Sequence, residues 1–226
     1  MAIYITGDTH GEFDFRKLTT EYFPEGANLT KNDYVIICGD FGGVWDTAGH
    51  DKYVQNLFSS MPWTTLFIDG NHENFDALAQ YSIEEWNGGK VQFIRSNIIH
   101  LMRGQVYTID GHTIFTMGGA TSIDKYHRTE GLDWWPQEIP TMEEFEEGFR
   151  NLEAYNNKVD LIVSHAAPTE LHKIITYYAG SNDDVINYLE IVRQTVEFDQ
   201  WYFGHYHKDI DYGRYCAIYK DVKRIW

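Results

Sequence analysis

The sequence has little cysteine, little proline and no low-complexity segment. Its two cysteines, Cys38 and Cys216, lie in apolar runs, so we expect two buried, reduced thiols and neither a disulfide nor a cysteine metal site. Only 5 prolines occur among 226 residues, whereas 43% of the residues are hydrophobic and 16% are aromatic. This composition is typical of a compact globular protein and excludes a disordered chain.

Positive charge is also scarce, because 18 Lys and Arg face 34 Asp and Glu and give a formal net charge of -16. Polyanion binding depends on Lys and Arg displacing counterions, so we expect no extended nucleic-acid surface, although a local positive site could accept phosphate. No apolar run approaches the roughly 18 residues that span a bilayer. The N-terminus lacks a basic segment followed by an apolar core. We therefore expect a cytoplasmic protein with no membrane partner.

The chain length suits one domain over residues 1–226, since a single core grows to roughly 250 residues before it splits. In the first eighty or so residues, short apolar runs alternate with helical patterns, which predicts parallel βαβ units with functional loops at the carboxyl ends of the strands. The predicted strands are 2–6, 34–38 and 64–68, and the predicted helices are 14–23, 52–61 and 73–81.

The second part of the chain has a different pattern. Four closely spaced apolar runs predict a meander and hence a second sheet with antiparallel character: 91–94, 98–102, 105–109 and 113–117. A long polar and aromatic loop over 118–140 follows, and loops of this length tend to be functional. Thr141 and Glu144 have the spacing of a capping box that opens a helix. Further strands are predicted at 160–164, 200–203 and 214–219, with a helix near 185–192.

Five of the strand-like runs end in side chains that bind metals. The candidate ligands are Asp8, His10, Asp40, Asn71, His165, His205 and His207. Carboxylate, amide and imidazole donors without thiolates suit Mn, Fe, Ni or Zn. Seven ligands exceed the needs of one ion, so we expect two divalent transition-metal ions that share a bridging carboxylate, with Asp40 as the bridge. In an alternative, Asp8 and Asp40 cap helices, but caps do not explain the His205-x-His207 pair.

In order and spacing, these motifs resemble those of the calcineurin-like metallophosphoesterases over nearly the whole chain. The motifs are Asp8-Thr9-His10, Gly39-Asp40, Gly70-Asn71-His72-Glu73, Ser164-His165 and Gly204-His205-Tyr206-His207. The resemblance implies an α/β fold, a four-layer α-β-β-α sandwich of two mixed sheets flanked by helices, with a dinuclear centre. It assigns one ion to Asp8, His10, Asp40 and His207 and the other to Asp40, Asn71, His165 and His205.

The resemblance also implies a mechanism. His72 takes the place of the family residue that protonates the leaving oxygen, while two cations would lower the pKa of a shared water for in-line attack on phosphorus. The phosphoprotein phosphatases of the family carry two arginines at positions where this chain has Gly-Gly-Val over 42–44 and Asp69. The acid that would orient His72 is missing three residues after Asp40, which leaves Asp46 or another group. The closing Gly-His-Tyr-His is more similar to the phosphodiesterase and nuclease branches.

The candidate substrate-binding residues are the cations Arg103, His127 and Arg128, with Lys125 beside them. Arg128 shares a loop with Trp134 and Trp135, and an arginine with stacking aromatics can bind a nucleotide or a nucleic-acid end. The alternative is an exposed loop with two core tryptophans.

We therefore expect a metal-dependent hydrolase of phosphate esters, with His72 and Asp40 as the catalytic residues and manganese among the suitable metals. A phosphodiester or nucleotide is preferred as the substrate, since the phosphate-clamping arginines are absent. One alternative is a protein serine/threonine phosphatase or a small-molecule phosphomonoesterase. The other is a non-catalytic interaction module with the same fold.

Overall fold

The structure is a computed structural model that describes residues 1–45, 49–178 and 183–226. The strands within these ranges are β1 (Ile3–Thr6), β2 (Tyr34–Ile37), β3 (Thr64–Phe67), β4 (Ile83–Trp86), β5 (Gly89–Arg95), β6 (Ile98–Leu101), β7 (Gln105–Ile109), β8 (His112–Met117), β9 (Lys158–Ser164), β10 (Glu197–Phe203), β11 (Ile210–Tyr212), β12 (Tyr215–Ala217) and β13 (Val222–Arg224). They form a seven-stranded sheet in the order β13-β1-β2-β3-β6-β5-β4 and a six-stranded sheet in the order β11-β12-β10-β9-β8-β7.

The α-helices are α1 (His50–Ser59), α2 (Phe75–Leu78), α3 (Met142–Ala154), α4 (Thr169–Thr176) and α5 (Asp184–Thr195). The capping box predicted before α3 is confirmed, because Thr141 and Glu144 exchange hydrogen bonds between side chain and backbone. The helices predicted over 14–23 and 73–81 shrink to single turns, a 3₁₀ helix at Phe15–Leu18 and the short α2. In the first segment, two threonines of low helix propensity follow the turn directly.

The predicted meander over 91–117 is wrong, because its four strands belong to two different sheets. Strands β5 and β6 pair with each other, and β6 also runs parallel to β3 in the first sheet. Strands β7 and β8 form an antiparallel pair in the second sheet, where β8 runs parallel to β9. The local spacing of the strands does not reveal that the chain crosses between sheets after β6.

Three apolar clusters define the layers. The cluster between the sheets joins Ile5 and Ile36 of the first sheet to Ile114 and Val163 of the second. A second cluster packs α1 against the outer face of the first sheet, and a third packs α3, α4 and α5 against the outer face of the second. Each fully buried aliphatic side chain contributes roughly 1.5–3 kcal/mol. The predicted four-layer α/β sandwich is confirmed.

Both cysteines are buried and free, as the sequence predicts. A search of the described helices finds none with the length and hydropathy required to cross a bilayer.

Arg103 fixes the crossing between the two sheets. Its guanidinium is buried, with 7% of the residue exposed, and donates two hydrogen bonds to Asp69 Oδ2 at 2.8 and 2.6 Å and one to the Gln137 carbonyl at 2.8 Å. His100 Nε2 lies 3.2 Å from the other Asp69 oxygen. Burial alone would raise the pKa of Asp69, but the Arg103 charge holds it well below its usual value. These contacts assign Arg103 a structural role instead of the substrate-binding role expected from the sequence.

Replacing Arg103 should therefore destabilise the protein. In the Arg103→Met variant, the buried Asp69 carboxylate keeps no guanidinium partner, so we expect the free energy of unfolding to fall by about 3 kcal/mol. Urea unfolding followed by fluorescence measures this change. The matched control is Arg150→Met, since Arg150 is an exposed residue whose ion pair with Glu146 is worth at most about 1 kcal/mol. Equal stability of the two variants would contradict the structural role.

Candidate metal centre

The seven candidate ligands lie in loops at one edge of the two sheets. Parallel pairing aligns the ends of three strands in the first sheet, where Thr6, Ile37 and Phe67 share one level. In the second sheet, Ser164 and Phe203 are likewise paired at the ends of β9 and β10. Each candidate ligand follows one of these five strand ends within a few residues, so pairing within each sheet and packing of the two sheets bring all five loops together.

The first group of ligand atoms comes from Asp8, His10 and His207. Their ligand atoms all lie within 4.8 Å of one another. Asp8 Oδ2 is 3.1 Å from His207 Nε2, and the rings of His10 and His207 have centroids 5.1 Å apart. Asp8 is fully buried whereas His207 is exposed, so this group lies at the opening of the site.

The second group comes from Asn71, His165 and His205. Asn71 Oδ1 lies 3.1 Å from His165 Nε2 and 3.0 Å from His205 Nδ1. Asp40 lies between the two groups, with Oδ2 3.4 Å from His10 Nε2 and Oδ1 3.5 Å from His165 Nε2. One oxygen of Asp40 therefore faces each group, which is the geometry of a bridging carboxylate.

The spacing and chemistry of these atoms fit divalent transition metals. Ligands held at about 2.0–2.2 Å from an ion lie roughly 3.0–3.5 Å from each other in octahedral or tetrahedral geometry. The contacts between candidate ligands above span 3.0–3.5 Å. Oxygen and imidazole donors without thiolates suit Mn, Fe, Ni and Zn. Two ions sharing Asp40 would use every donor of the set.

Four of the ligand residues have left-handed backbone conformations, with φ of 43° at His10, 49° at Asp40, 66° at His205 and 50° at His207. Such conformations are uncommon for residues other than glycine and concentrate at functional sites. Gly70 is required for a different reason, since a Cβ at this position would collide with the Asp40 carboxylate. The loops therefore hold the candidate ligands in backbone conformations that residues other than glycine seldom adopt.

Two further residues orient the first group and were missed by the sequence analysis. Asp14 Oδ2 lies 2.7 Å from His10 Nδ1, which leaves His10 Nε2 facing Asp40. The Tyr219 hydroxyl donates to Asp14 Oδ1 at 2.9 Å, and the Tyr219 ring stacks on His207 at 4.5 Å between centroids. Carboxylates behind ligand histidines fix the ring orientation. The four-residue spacing from His10 to Asp14 was the only sequence signal.

The long loop over 118–140 orients the second group. Asn71 donates from its amide nitrogen to Ser122 Oγ at 3.0 Å, so its amide oxygen points toward His165 and His205. Ser122 in turn donates to the fully buried Glu138 at 2.5 Å. The loop was predicted to be functional, and its buried polar residues hold a candidate ligand in place.

His72 lies beside the ligands. Its backbone N–H donates to Asp40 Oδ1 at 2.8 Å, and its ring centroid is 6.0 Å from that of His10. Burial and then the Arg128 charge lower the pKa of His72, against the opposing charge of Asp40. Arg128 Nη1 lies 3.3 Å from His72 Nδ1, and because a guanidinium can only donate, this contact leaves the ring proton on Nε2. Asp46, expected as one possible orienting acid, lies outside the described residues.

The remaining sequence candidates are dispersed. Arg128 also donates to both Asp124 oxygens at 2.9 and 2.8 Å, whereas His127 is exposed on a 3₁₀ turn and does not line the cleft at His72. Trp135 is buried and donates to Asp76, so it belongs to the core, whereas Trp134 is only half-buried. Trp45 packs edge-on against Trp135 at 5.4 Å and lines the cleft instead.

Without cations, the carboxylates hold protons on the histidines. Burial alone would lower the pKa of His10 and His165, but Asp40 outweighs it and raises their pKa to about 9 and about 10. Burial would raise the pKa of Asp40, but His165 and His10 keep it well below its usual range. In the metal-free protein, the positive charge near Asp40 is therefore that of protonated His10 and His165. A metal ion that binds these rings must displace their protons.

Metal binding should therefore release protons. At pH 7 both His10 and His165 are protonated in the metal-free protein, so uptake of Zn²⁺ or Mn²⁺ should release about two protons per chain, and the apparent affinity should rise with pH until the pH passes both pKa values, about 9 and about 10. Isothermal titration calorimetry in two buffers of different ionisation enthalpy counts these protons. Identical heats in both buffers would contradict the protonated state of the two histidines.

Comparison with known proteins agrees with the geometry. The family model of the calcineurin-like phosphoesterases matches residues 1–209, which include every candidate ligand. The chain is similar to lariat debranching enzymes: it is 26% identical to the Homo sapiens enzyme over 218 residues, 24% to that of Danio rerio over 217 and 25% to that of Gallus gallus over 218. Each alignment covers 87% of this chain but only 37%, 35% and 38% of the respective relative.

The chain therefore spans little more than a third of the length of these curated relatives. The family match itself covers far more than half of the chain. It runs from the first strand to the loop that carries His207, the last candidate ligand. The protein belongs to the calcineurin-like phosphoesterase family, whose members are metal-dependent hydrolases of phosphoric esters.

Proposed function

We propose that this protein cleaves a phosphodiester bond, in a small diester, a nucleotide or a nucleic-acid end, at a dinuclear centre bridged by Asp40. The observation that carries the proposal is the cleft above the ligands. It has a volume of about 450 Å³ and is lined by His10, His72, Phe13, Trp45 and Arg128 among others. One guanidinium and two aromatic walls suit a phosphate of low charge that carries a planar substituent.

Charge distinguishes a diester from a monoester in this cleft. A monoester dianion gains most from several arginines that donate bidentate hydrogen bonds. Arg128 is the one arginine among the cleft residues that the structure describes, and Asp124 already engages its Nε and Nη2. The pair of Arg128 and Asp124 carries no net charge, which favours the singly charged phosphate of a diester.

The ligand assignment follows from the two groups of atoms. Asp8, His10, His207 and Asp40 would hold one ion, and Asn71, His165, His205 and Asp40 would hold the other. When bound, divalent ions lower the pKa of water and offset charge on phosphoryl oxygens. The identity of the metals, manganese included, stays a prediction, as does the cytoplasmic location.

His72 acts as the general acid in this proposal. Hydrolysis joins a water oxygen to phosphorus and breaks the bond to the leaving oxygen, which needs a proton. The proton comes from the imidazolium form of His72, because a neutral ring does not give up its only N–H proton near neutral pH. The contact with Arg128 belongs to the neutral ring, so protonation of Nδ1 would replace that contact, while the bond from the His72 backbone N–H to Asp40 keeps the ring beside the candidate ligands. A positioned acid of this kind contributes about 10²–10⁴-fold to the rate.

The similarity to lariat debranching enzymes supports the same substrate class. Their name describes the removal of a branch from a lariat. At 24–26% identity over a third of their length, the relatives support a phosphodiester as the scissile group, and the substrate of this chain is proposed on the geometry of its own cleft.

Substitutions of Asp40 and His72 should separate metal binding from proton transfer. We expect Asp40→Asn to lose the bridging charge, so that bound metal falls from about two ions per chain to one or fewer and turnover disappears. We expect His72→Asn to keep its metals and lose about 10²–10⁴-fold in kcat. Elemental analysis and steady-state kinetics measure both effects.

Asp199→Asn, which removes an exposed carboxylate on β10, is the matched control and should change neither quantity. If metal-loaded His72→Asn cleaves every tested ester at the wild-type rate, His72 is not the acid. If the wild-type protein loaded with Mn²⁺ or Zn²⁺ hydrolyses no ester, the interaction-module alternative is favoured instead.

Substrate charge gives a second test. We expect kcat/KM for the diester bis(p-nitrophenyl) phosphate to exceed that for the monoester p-nitrophenyl phosphate by about tenfold or more. The monoester dianion would need further arginines in the cleft, whose charged hydrogen bonds would be worth about 1.5–3 kcal/mol each. Both rates are read from nitrophenolate absorbance at one pH and one metal content. A preference for the monoester would favour the phosphomonoesterase alternative.

A further inference from the structure

A second cleft adjoins the one above the metal ligands, and we call it the lateral cleft. It has a volume of about 320 Å³ and is lined by Phe13, Asp14, Arg16, Tyr22, Tyr219 and Lys220, with Lys17 at its base. Phe13 and Asp14 line both clefts, so the two adjoin at these residues. Phe13 is exposed, so a ligand that extends from the metal centre over its ring would reach the lateral cleft.

The lateral cleft concentrates positive charge on a protein whose formal net charge is -16. It contains three cations in seven lining residues. Lys17 is buried and donates to the carbonyls of Gly7, Asp8 and Tyr219, so its charge contributes a fixed potential. Arg16 pairs with Glu21 through two exposed side chains, and such surface pairs exchange readily for a phosphate.

Lys220 is the third cation, and its amine lies over the Tyr219 ring at 5.9 Å. Within the part of the chain that the structure describes, this amine forms no ion pair. The nearby Asp209 carboxylate accepts hydrogen bonds from the backbone N–H groups of Tyr219, Lys220 and Asp221 and is engaged there. Lys220 therefore offers its charge toward the cleft.

Aromatic rings are interleaved with these cations. Phe13 is 80% exposed at the junction of the clefts, and Tyr22 is 51% exposed with Arg16 stacked on its ring at 4.7 Å. Single exposed aromatic residues need no explanation, but two rings and two accessible cations in one groove form a pattern that binds single-stranded nucleic acid. The rings stack on bases while the cations contact the backbone.

The lateral cleft is also coupled to the metal ligands. The Tyr219 ring that forms its wall stacks on His207, and the Tyr219 hydroxyl reaches Asp14 behind His10. An occupant of this cleft is therefore separated from the candidate ligands of the first group by the Tyr219 side chain. This placement suits the nucleotide next to one bound at the metal centre.

We infer that the lateral cleft binds the segment of a single-stranded nucleic acid that flanks the scissile phosphodiester. Arg16 and Lys220 contact its backbone phosphates, and Phe13 and Tyr22 stack on its bases. The placement beside a scissile bond rests on the proposed function, whereas the binding of the strand does not. Acidic residues elsewhere on the surface repel the polyanion, which restricts its path to the two clefts.

Binding to the metal-free protein tests the cleft separately from catalysis. The probe is a fluorescein-labelled single-stranded RNA of about ten nucleotides, and the readout is fluorescence anisotropy over a range of salt concentrations. We expect Arg16→Gln/Lys220→Gln to weaken binding by about tenfold or more. We also expect the slope of log K against log salt to become less steep by about 1.4, since each lost phosphate contact removes about 0.7 for single strands.

The matched control is Arg150→Gln/Lys158→Gln, which removes the same charge from exposed side chains on α3 and β9. It should bind the RNA within about twofold of the wild-type protein. A third variant, Tyr22→Ala, should weaken binding about fivefold or more without changing the salt slope, because stacking is not electrostatic. Equal losses in the cleft and control variants would overturn the inference, as would full competition by an acidic peptide of equal charge.

Cleavage assays locate the cleft relative to the metal centre. In the metal-loaded protein, Arg16→Gln/Lys220→Gln should lower kcat/KM for the RNA by about tenfold while leaving that for bis(p-nitrophenyl) phosphate unchanged. If neither substrate is cleaved by the wild-type protein, the proposed function fails, and the anisotropy result still decides whether the cleft binds RNA. If both substrates lose activity equally in the variant, the cleft is no substrate subsite.

Discussion

The site depends on one buried carboxylate that remains ionised. Asp40 is 1% exposed, and burial alone would raise its pKa, yet the charge of His165 and the hydrogen bond from His10 hold that pKa well below the usual range. An unpaired buried charge costs several kcal/mol, so positive charge must lie on both sides of Asp40 in every state of the protein. Imidazolium groups meet this requirement without metals, and divalent cations would meet it in the active protein.

The two-sheet fold provides the positive groups on both sides of Asp40. A carboxylate can face two ligand groups only if loops from both sheets meet at its level, and the in-register ends of β1, β2, β3, β9 and β10 produce that meeting. The apolar cluster between the sheets fixes their separation, while Arg103 and Asp69 fix the crossing where the chain passes from one sheet to the other. Stability and site geometry thus share the same elements.

The sequence predicted that the candidate ligands come together, because each follows a strand end within a few residues and parallel pairing aligns the strand ends of a sheet. Its failures share a cause. The division of residues 91–117 between two sheets, the contact of Tyr219 with Asp14 across 205 positions and the Ser122–Glu138 support of Asn71 all depend on tertiary contacts that no local spacing encodes. The burial of Arg103 was not foreseen for the same reason, since its partner Asp69 is 34 positions away.

In the proposed function, Arg128 would connect proton transfer to substrate charge through a single guanidinium. Its Nε and Nη2 are held by Asp124, so only Nη1 reaches His72, where it must donate. A carboxylate behind a histidine ring raises its pKa, whereas burial and the Arg128 cation lower the pKa of His72, so that a smaller share of the ring is imidazolium at a given pH. If His72 is the acid that we propose, the lowered pKa makes its imidazolium a stronger acid that is less populated at neutral pH. The two clamping arginines of the protein phosphatases have no counterpart at 42–44 and Asp69, and the arginine of this cleft contacts the proposed acid instead, which is consistent with a substrate whose phosphate carries a single charge.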